Sequence, residues 1–182
     1  MATQYGFLIN MEDCYGCKTC AVACKSENQT PAGVQWRRVR EFTTENPNSI
    51  SFLTMSCNHC DEPQCMEVCP VSAYSKREDG IVVQDHDRCV GCRMCILGCP
   101  YGAPQYDPVE GKTSKCDMCV DRIDNGLLPR CVEACPAKII KFGEISELRK
   151  EYGADLQVIE DRFNFPNHKV TGPNIVILPP RN

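Results

Sequence analysis

Sixteen cysteines set the limits on what this chain of 182 residues can fold into. They fall into four groups: Cys14, Cys17, Cys20, Cys24; Cys57, Cys60, Cys65, Cys69; Cys89, Cys92, Cys95, Cys99; and Cys116, Cys119, Cys131, Cys135. Each group opens as C-x2-C. The last three close on Cys-Pro, whereas the first ends Cys24-Lys25. The first and third share C-x-G-C-x-x-C, with Gly16 and Gly91 in matching places, and the second and fourth have a longer third gap. With a single Trp and modest Leu, Ile and Val, a conventional apolar core would be thin. The cysteines must therefore tie the loops together, as disulfides or metal do in small scaffolds.

The spacing favours iron and sulfide. Three cysteines at i, i+3 and i+6 on a tight loop place three thiolates around one compact cube. A glycine between the first two lets the backbone turn closely, with amide N–H groups aimed at sulfur. The fourth cysteine, opening a Cys-Pro, is carried away from its own loop, because proline fixes φ and leads the chain into an extended segment. In two-cluster ferredoxins that cysteine ligates the other cluster. Disulfides compete poorly, since three cysteines so close together cannot all pair locally without strain. Zinc competes in group four, whose C-x2-C-x11-C-x3-C has the form of a four-cysteine site. With cysteine at all sixteen ligand positions, four complete [4Fe-4S] clusters are expected.

The exchange of fourth ligands predicts the quartets. Groups two and three are neighbours joined by a short hairpin, so they swap with each other, which leaves groups one and four as the second pair. The expected sets are Cys14, Cys17, Cys20, Cys135; Cys24, Cys116, Cys119, Cys131; Cys57, Cys60, Cys65, Cys99; and Cys69, Cys89, Cys92, Cys95. Lys25 replaces the proline where a helix over Cys17–Glu27 continues, and Pro would interrupt its backbone bonding.

The net charge of −4 and the absence of a basic stripe exclude a nucleic-acid partner. Four clusters at about −2 each would take the loaded protein to roughly −12. Lys18, Lys25, Arg88, Arg93, Lys115, Arg122 and Arg130, all beside cysteines, are placed to offset that charge. Met66, Met94, Ile96, Leu97 and Met118 lie between ligands and are expected to keep water out. His59 is expected to supply a polar contact near a cluster, not a ligand bond. No apolar run reaches the roughly 18 residues of a membrane span. The N-terminus has neither the basic nor the apolar part of a signal peptide. The expected location is cytoplasmic, or exported or membrane-peripheral with a partner that carries the signal.

Around the cysteine loops, strands are expected at Tyr5–Asn10, Lys138–Phe142 and Asn174–Leu178. Val34–Phe42 and Ile50–Met55 read as a hairpin with a longer loop. Ala73–Lys76 and Ile81–Val83 flank the turn signal Glu78-Asp79-Gly80. Asp107–Gly111 reads as a turn. Ser146–Tyr152 reads as a helix with Ser146 as N-cap and Gly153 as stop. No phosphate loop, nucleophile elbow or catalytic triad is present, so no substrate site is expected in this chain.

The motifs CYGCKTCAVACK, SCNHCDEPQCMEVCP, KREDGIVV, CVGCRMCILGCPYGAPQY, KCDMCVDR and CVEACP resemble the four-cluster electron-transfer subunits of the dimethyl sulfoxide reductase and wider molybdopterin oxidoreductase family. The resemblance covers nearly the whole chain. It implies an α+β fold of two bacterial-type 2[4Fe-4S] ferredoxin modules related by a pseudo-twofold. Module A comprises 1–30 with 105–145 and module B 56–104, with a β-hairpin insertion at 31–55 and a C-terminal helix and docking tail at 146–182. Some relatives have a tryptophan in the third cysteine loop, where this chain has Cys92. The resemblance also implies a large catalytic partner holding a molybdenum or tungsten bis-pterin, with a membrane-anchor subunit or another electron carrier beyond. The relay order it implies starts from the Cys14 quartet nearest that partner, passes the Cys24 and Cys57 quartets, and ends at the Cys69 quartet. The rival readings are a free-standing polyferredoxin shuttle, a structural iron–sulfur subunit of an enzyme doing non-redox or internal-redox chemistry, and a colourless zinc-binding module.

Overall fold

The computed structural model describes residues 3–43, 50–153 and 156–180. In chain order the elements are β1 (Tyr5–Asn10), α1 (Thr19–Glu27), β2 (Arg38–Thr43), β3 (Ile50–Met55), α2 (Gln64–Glu67), β4 (Tyr74–Lys76), β5 (Val82–Gln84), α3 (Met94–Gly98), β6 (Gln105–Asp107), β7 (Lys112–Ser114), α4 (Val120–Asp124), α5 (Arg130–Glu133), β8 (Ile140–Glu144), α6 (Ile145–Tyr152), α7 (Gln157–Phe163) and β9 (Ile175–Leu178). Helices and strands are thus mixed, and no helix among the described residues is long and apolar enough to cross a membrane.

The central strand β1 is apolar on both faces, and both faces are buried. It pairs antiparallel with β8, Phe7 opposite Phe142, and parallel with β9, Phe7 opposite Ile175. Because side chains alternate along a strand, Phe7 and Ile9 enter the main core with Ile140, Ile175, Ile177 and Met118. Leu8 and Val176 face the other way and are covered by Ile145 and Leu148 of α6. Three two-stranded hairpins, β2–β3, β4–β5 and β6–β7, surround the cysteine loops.

Several elements differ from the sequence reading. β2 begins at Arg38, because Val34 closes the preceding turn through a bond from its N–H to the Pro31 carbonyl at 3.1 Å. The loop expected between β2 and β3 lies outside the described residues. α6 starts at Ile145 directly from β8, so Ser146 does not cap it; the Ser146 hydroxyl donates to Glu144 Oε1 at 3.0 Å. The Ile145 N–H is satisfied instead by the Gln4 carbonyl at 2.8 Å. Gly153 does terminate the helix, at φ 90°. The expected turn at 107–111 is flanked by strands of three residues each, β6 and β7, which are too short to show a periodic signal. α7 was not anticipated, although Ile159 and Phe163 sit at helical spacing and are buried.

Residues 171–174 fold back on the second cysteine loop. Gly172 and Thr171 carbonyls accept from the N–H groups of Asp61 and Glu62 at 2.8 and 3.0 Å, and the Asn174 N–H donates to the Asn58 carbonyl at 3.0 Å. This contact ties the end of the chain to a cysteine loop more than a hundred positions earlier.

Candidate metal centres

Equivalent positions of the four cysteine groups have equivalent backbone. Gly16 and Gly91 take φ of 72° and 70°, and Lys18 and Arg93, two residues on, take 61° and 65°. In groups two and four the matching residues His59 and Met118 are also left-handed, at 43° and 66°. The second residue after each Cys-Pro repeats the turn: Ser72, Gly102 and Lys138 have φ of 48°, 60° and 53°. Such turns point successive N–H groups into one concavity that suits an anion. Four of them reach sulfur: His59 N–H to Cys57 at 3.5 Å, Met118 to Cys116 at 3.4 Å, Ala73 to Cys69 at 3.3 Å and Ala103 to Cys99 at 3.4 Å.

Group one lacks the Cys-Pro turn because α1 runs through Lys25 to Glu27. The Lys25 ammonium donates to the carbonyls of Thr30, Pro31 and Val34 at 2.8, 2.7 and 3.2 Å. It therefore fastens the turn after the helix and does not face the cysteines. The Asn28 side-chain amide donates to the Cys24 carbonyl at 2.8 Å and approaches Cys24 Sγ at 3.7 Å.

Cysteines distant in sequence meet. Cys14, Cys17, Cys20 and Cys135 line one small cavity. Cys57, Cys60, Cys65 and Cys99 line another, together with His59, Tyr101, Lys115 and Thr171. Cys24 lies deep in the chain. Burial pushes its thiol up, and the charges of Cys116, Cys131 and Cys119 push it further. Cys69 and Cys95 border one buried cluster with Cys65, Tyr74 and Val82. Cys89 and Cys95 approach the Thr113 hydroxyl at 3.6 and 3.4 Å, while Cys92 is exposed.

These frames suit a polynuclear group better than one ion. All sixteen cysteines are free. Among the described residues no three Cys, His, Asp or Glu side chains could hold a single metal ion. A tetrahedral zinc at 2.3 Å from each sulfur would need sulfurs roughly 3.8 Å apart. Burial pushes the thiols of Cys60, Cys65 and Cys119 up to about 12. Left alone they stay protonated at neutral pH, whereas a bound metal displaces the proton. The donor set, the enclosure and the N–H groups aimed at sulfur all fit [4Fe-4S].

Of the seven cations expected beside the cysteines, Lys115 alone is buried among them, 3 % exposed. Its ammonium donates to the carbonyls of Val82 and Cys116. Arg122 and Arg130 instead pair with Glu27 and Glu133, and Arg93 lies over the Tyr106 ring. Sequence reasoning missed Arg37, which is 2 % exposed. Burial alone would lower its pKa, but charge on Cys131, Cys116, Cys20 and Cys24 outweighs that and holds its guanidinium above the ordinary value. It donates to Thr54 Oγ1 at 3.2 Å and to Ser56 Oγ at 2.9 Å, and Thr54 Oγ1 is 3.4 Å from Cys20 Sγ.

His59 is fully buried, and its Nδ1 accepts the Val82 N–H at 3.0 Å. Burial, then the charges of Lys115 and Lys76, hold it well below the ordinary range, so the ring is neutral. Met118 is buried, but Met66, Met94 and Leu97 are not; Leu97 is 81 % exposed. In the short helices α2 and α3 Cys65 and Cys95 take the inward face, which turns their immediate neighbours outward.

Comparison with known proteins now bears on these centres. The profile of the 4Fe-4S dicluster domain matches residues 48–145. One component of the anaerobic dimethyl sulfoxide reductase of Escherichia coli (strain K12) is 46% identical over 192 residues, covering 100% of this chain and 92% of that one. The chain belongs to this family of 4Fe-4S dicluster reductase subunits. A subunit of the tetrathionate reductase of Salmonella typhimurium is also similar, 44% identical over 148 residues (79% of this chain, 59% of that one). So is the thiosulfate reductase electron transfer subunit of Salmonella typhi, 36% identical over 152 residues (81% and 79%). Cysteine groups two to four fall inside the dicluster match, and group one precedes it. Arg37 also precedes it, so the dicluster motif alone would not have pointed to that side chain.

Proposed function

We propose that this chain is the electron-transfer subunit of a reductase complex. It relays electrons through four [4Fe-4S] clusters to or from a large catalytic subunit that holds a molybdenum or tungsten bis-pterin. It has no substrate site of its own. The relatives' roles in dimethyl sulfoxide, tetrathionate and thiosulfate reductases support this reading. The observation that carries it is the meeting of Cys135 with Cys14, Cys17 and Cys20, and of Cys99 with Cys57, Cys60 and Cys65, around separate cavities.

The ligand sets we propose are Cys14, Cys17, Cys20, Cys135; Cys24, Cys116, Cys119, Cys131; Cys57, Cys60, Cys65, Cys99; and Cys69, Cys89, Cys92, Cys95. When bound, each [4Fe-4S] cluster supplies a one-electron redox centre. The chain's own residues set the row. Cys20 and Cys24 stand on one helix, one from each of the first two sets. Cys57 and Cys116, from the third and second sets, border one buried cluster with Ala103. Cys65 of the third set and Cys69 and Cys95 of the fourth border another. Backbone N–H groups stabilise the sulfur charge, and the apolar side chains between sets keep water from the path. In that order the first set faces the catalytic subunit and the fourth faces an anchor subunit or another carrier. Modules A and B correspond to sets one with two and three with four.

The test is electron delivery in the purified complex. Adding the catalytic subunit's substrate should change the redox state of all four clusters followed by EPR, reoxidising dithionite-reduced clusters if it accepts electrons or reducing oxidised ones if it donates them. A chain that purifies without a large subunit, or clusters that respond in neither direction, would contradict the proposal.

A further inference from the structure

Two cations are buried at successive junctions along the row. Arg37 is 2 % exposed; it holds Thr54 Oγ1, which meets Cys20 Sγ of the first set at 3.4 Å, and it interacts electrostatically with Cys131, Cys116 and Cys24 of the second. Lys115 is 3 % exposed, lines the cavity of the third set with Cys57 and Cys65, and donates to the carbonyl of Cys116 of the second. Neither forms an ion pair with a carboxylate among the described residues. A buried charge without a partner is strongly disfavoured, and here the facing anions are the cysteine sets. Their hydrogen-bond partners are neutral: Thr54 and Ser56 hydroxyls and the Phe7 ring for Arg37, and two carbonyls for Lys115, although the Asp117 carboxyl nearby also supports the Lys115 charge. The Arg37 Nε has no partner.

The third junction differs. Between the third and fourth sets lie Tyr74, Val82 and Ile96, where Lys115 reaches the Val82 carbonyl from the third set's cavity and no second buried cation adds to it. Arg37 and Lys115 are the buried cations among the described residues, and both touch the second set.

We infer that Arg37 and Lys115 are positioning charges that raise the reduction potentials of the clusters they separate, Arg37 those of the first and second sets and Lys115 those of the second and third. This rests on the electron-transfer reading above. Reduction adds one electron, hence one negative charge, to a cluster, and a fixed cation nearby stabilises the reduced form more than the oxidised one. Low local dielectric and exclusion from solvent keep the effect from being screened by salt. The second set lies beside both charges and should respond most, and the fourth lies beside neither and should respond least.

The experiment is a dithionite titration with redox mediators, followed by EPR, on the anaerobically purified chain in its complex, with iron counted for every preparation. Arg37→Gln should shift two of the four signals to lower potential and leave two in place. Lys115→Gln should shift two, of which one is common to both variants. That shared signal should also be the one altered by Cys24→Ser. Arg37→Lys keeps the charge and should restore wild-type midpoints. The shifts should persist at high salt. Variants with full iron and unmoved potentials, a uniform shift of all four signals, or no shared signal would overturn the inference. If Arg37→Gln fails to load iron, Lys115→Gln and Arg37→Lys still decide it. A fall of two signals in Arg37→Lys, or none in Lys115→Gln, overturns it. A wild-type chain without iron overturns the underlying reading as well, so the two failures are distinguishable.

Discussion

The side-chain amide of Asn174 donates to the backbone carbonyl of His59 at 2.8 Å, across 115 positions of sequence. The same amide reaches Asp61 Oδ1 at 2.9 Å. Asn174 is buried, and its neighbour Thr171 shares a cavity with four cysteines and meets the Tyr101 hydroxyl at 3.0 Å. The tail is therefore a clamp on the second cysteine loop.

Asn174→Ala should loosen that clamp. It leaves the buried His59 carbonyl without its donor, a loss of about 1–3 kcal/mol. The expected result is faster bleaching of visible absorbance in the presence of an iron chelator. The change should fall on the signal that Cys60→Ser alters. Unchanged bleaching kinetics would show that the tail does not support the loop.

Gly91→Ala should be far worse than Gly33→Ala. Both residues have positive φ, 70° and 86°, so both substitutions carry backbone strain of about 1–3 kcal/mol. A Cβ on Gly91 would also sit 1.9 Å from the Gly111 carbonyl oxygen, whereas one on Gly33 meets nothing within 4 Å. Iron content and urea midpoint compare the two directly. Equal effects would mean that the β6–β7 turn yields freely over the third cysteine loop.

Lys25→Pro, which installs the Cys-Pro of the other three groups, should destabilise the chain by about 3 kcal/mol or more. It breaks α1 and removes the ammonium that holds the carbonyls of Thr30, Pro31 and Val34. Lys25→Met keeps the helix and loses only the second contribution, so its urea midpoint should lie between those of wild type and Lys25→Pro.

Cys24→Ser and Cys131→Ser should alter the same EPR signal, and Cys14→Ser and Cys135→Ser a different one. Alteration of the Cys14 signal by Cys24→Ser would contradict the exchange of fourth ligands.

Much of this was legible because ligand geometry leaves a direct mark on spacing. C-x-G-C announces the left-handed turn at Gly16 and Gly91, and Lys25 in place of proline announces the continuing helix. Arg37 left no such mark. It sits in Trp36-Arg37-Arg38-Val39-Arg40, outside every cysteine run, and nothing local separates it from the solvent-exposed Arg40. Only the β2–β3 hairpin, by bringing Thr54 and Ser56 alongside, turns it inward. Leu97 was misplaced for a complementary reason. Proximity to Cys95 in sequence implies burial only if the helical turn faces both residues the same way, and in α3 it does not. The clamp at Thr171 and Asn174 depends on contacts across long stretches of sequence, which spacing cannot reveal.

The most direct test of the account is the metal content of the anaerobically purified chain. The account predicts a brown protein with about sixteen irons and as many acid-labile sulfides, four of each per cluster. A colourless chain, or one carrying a single zinc at Cys116, Cys119, Cys131 and Cys135, would contradict it.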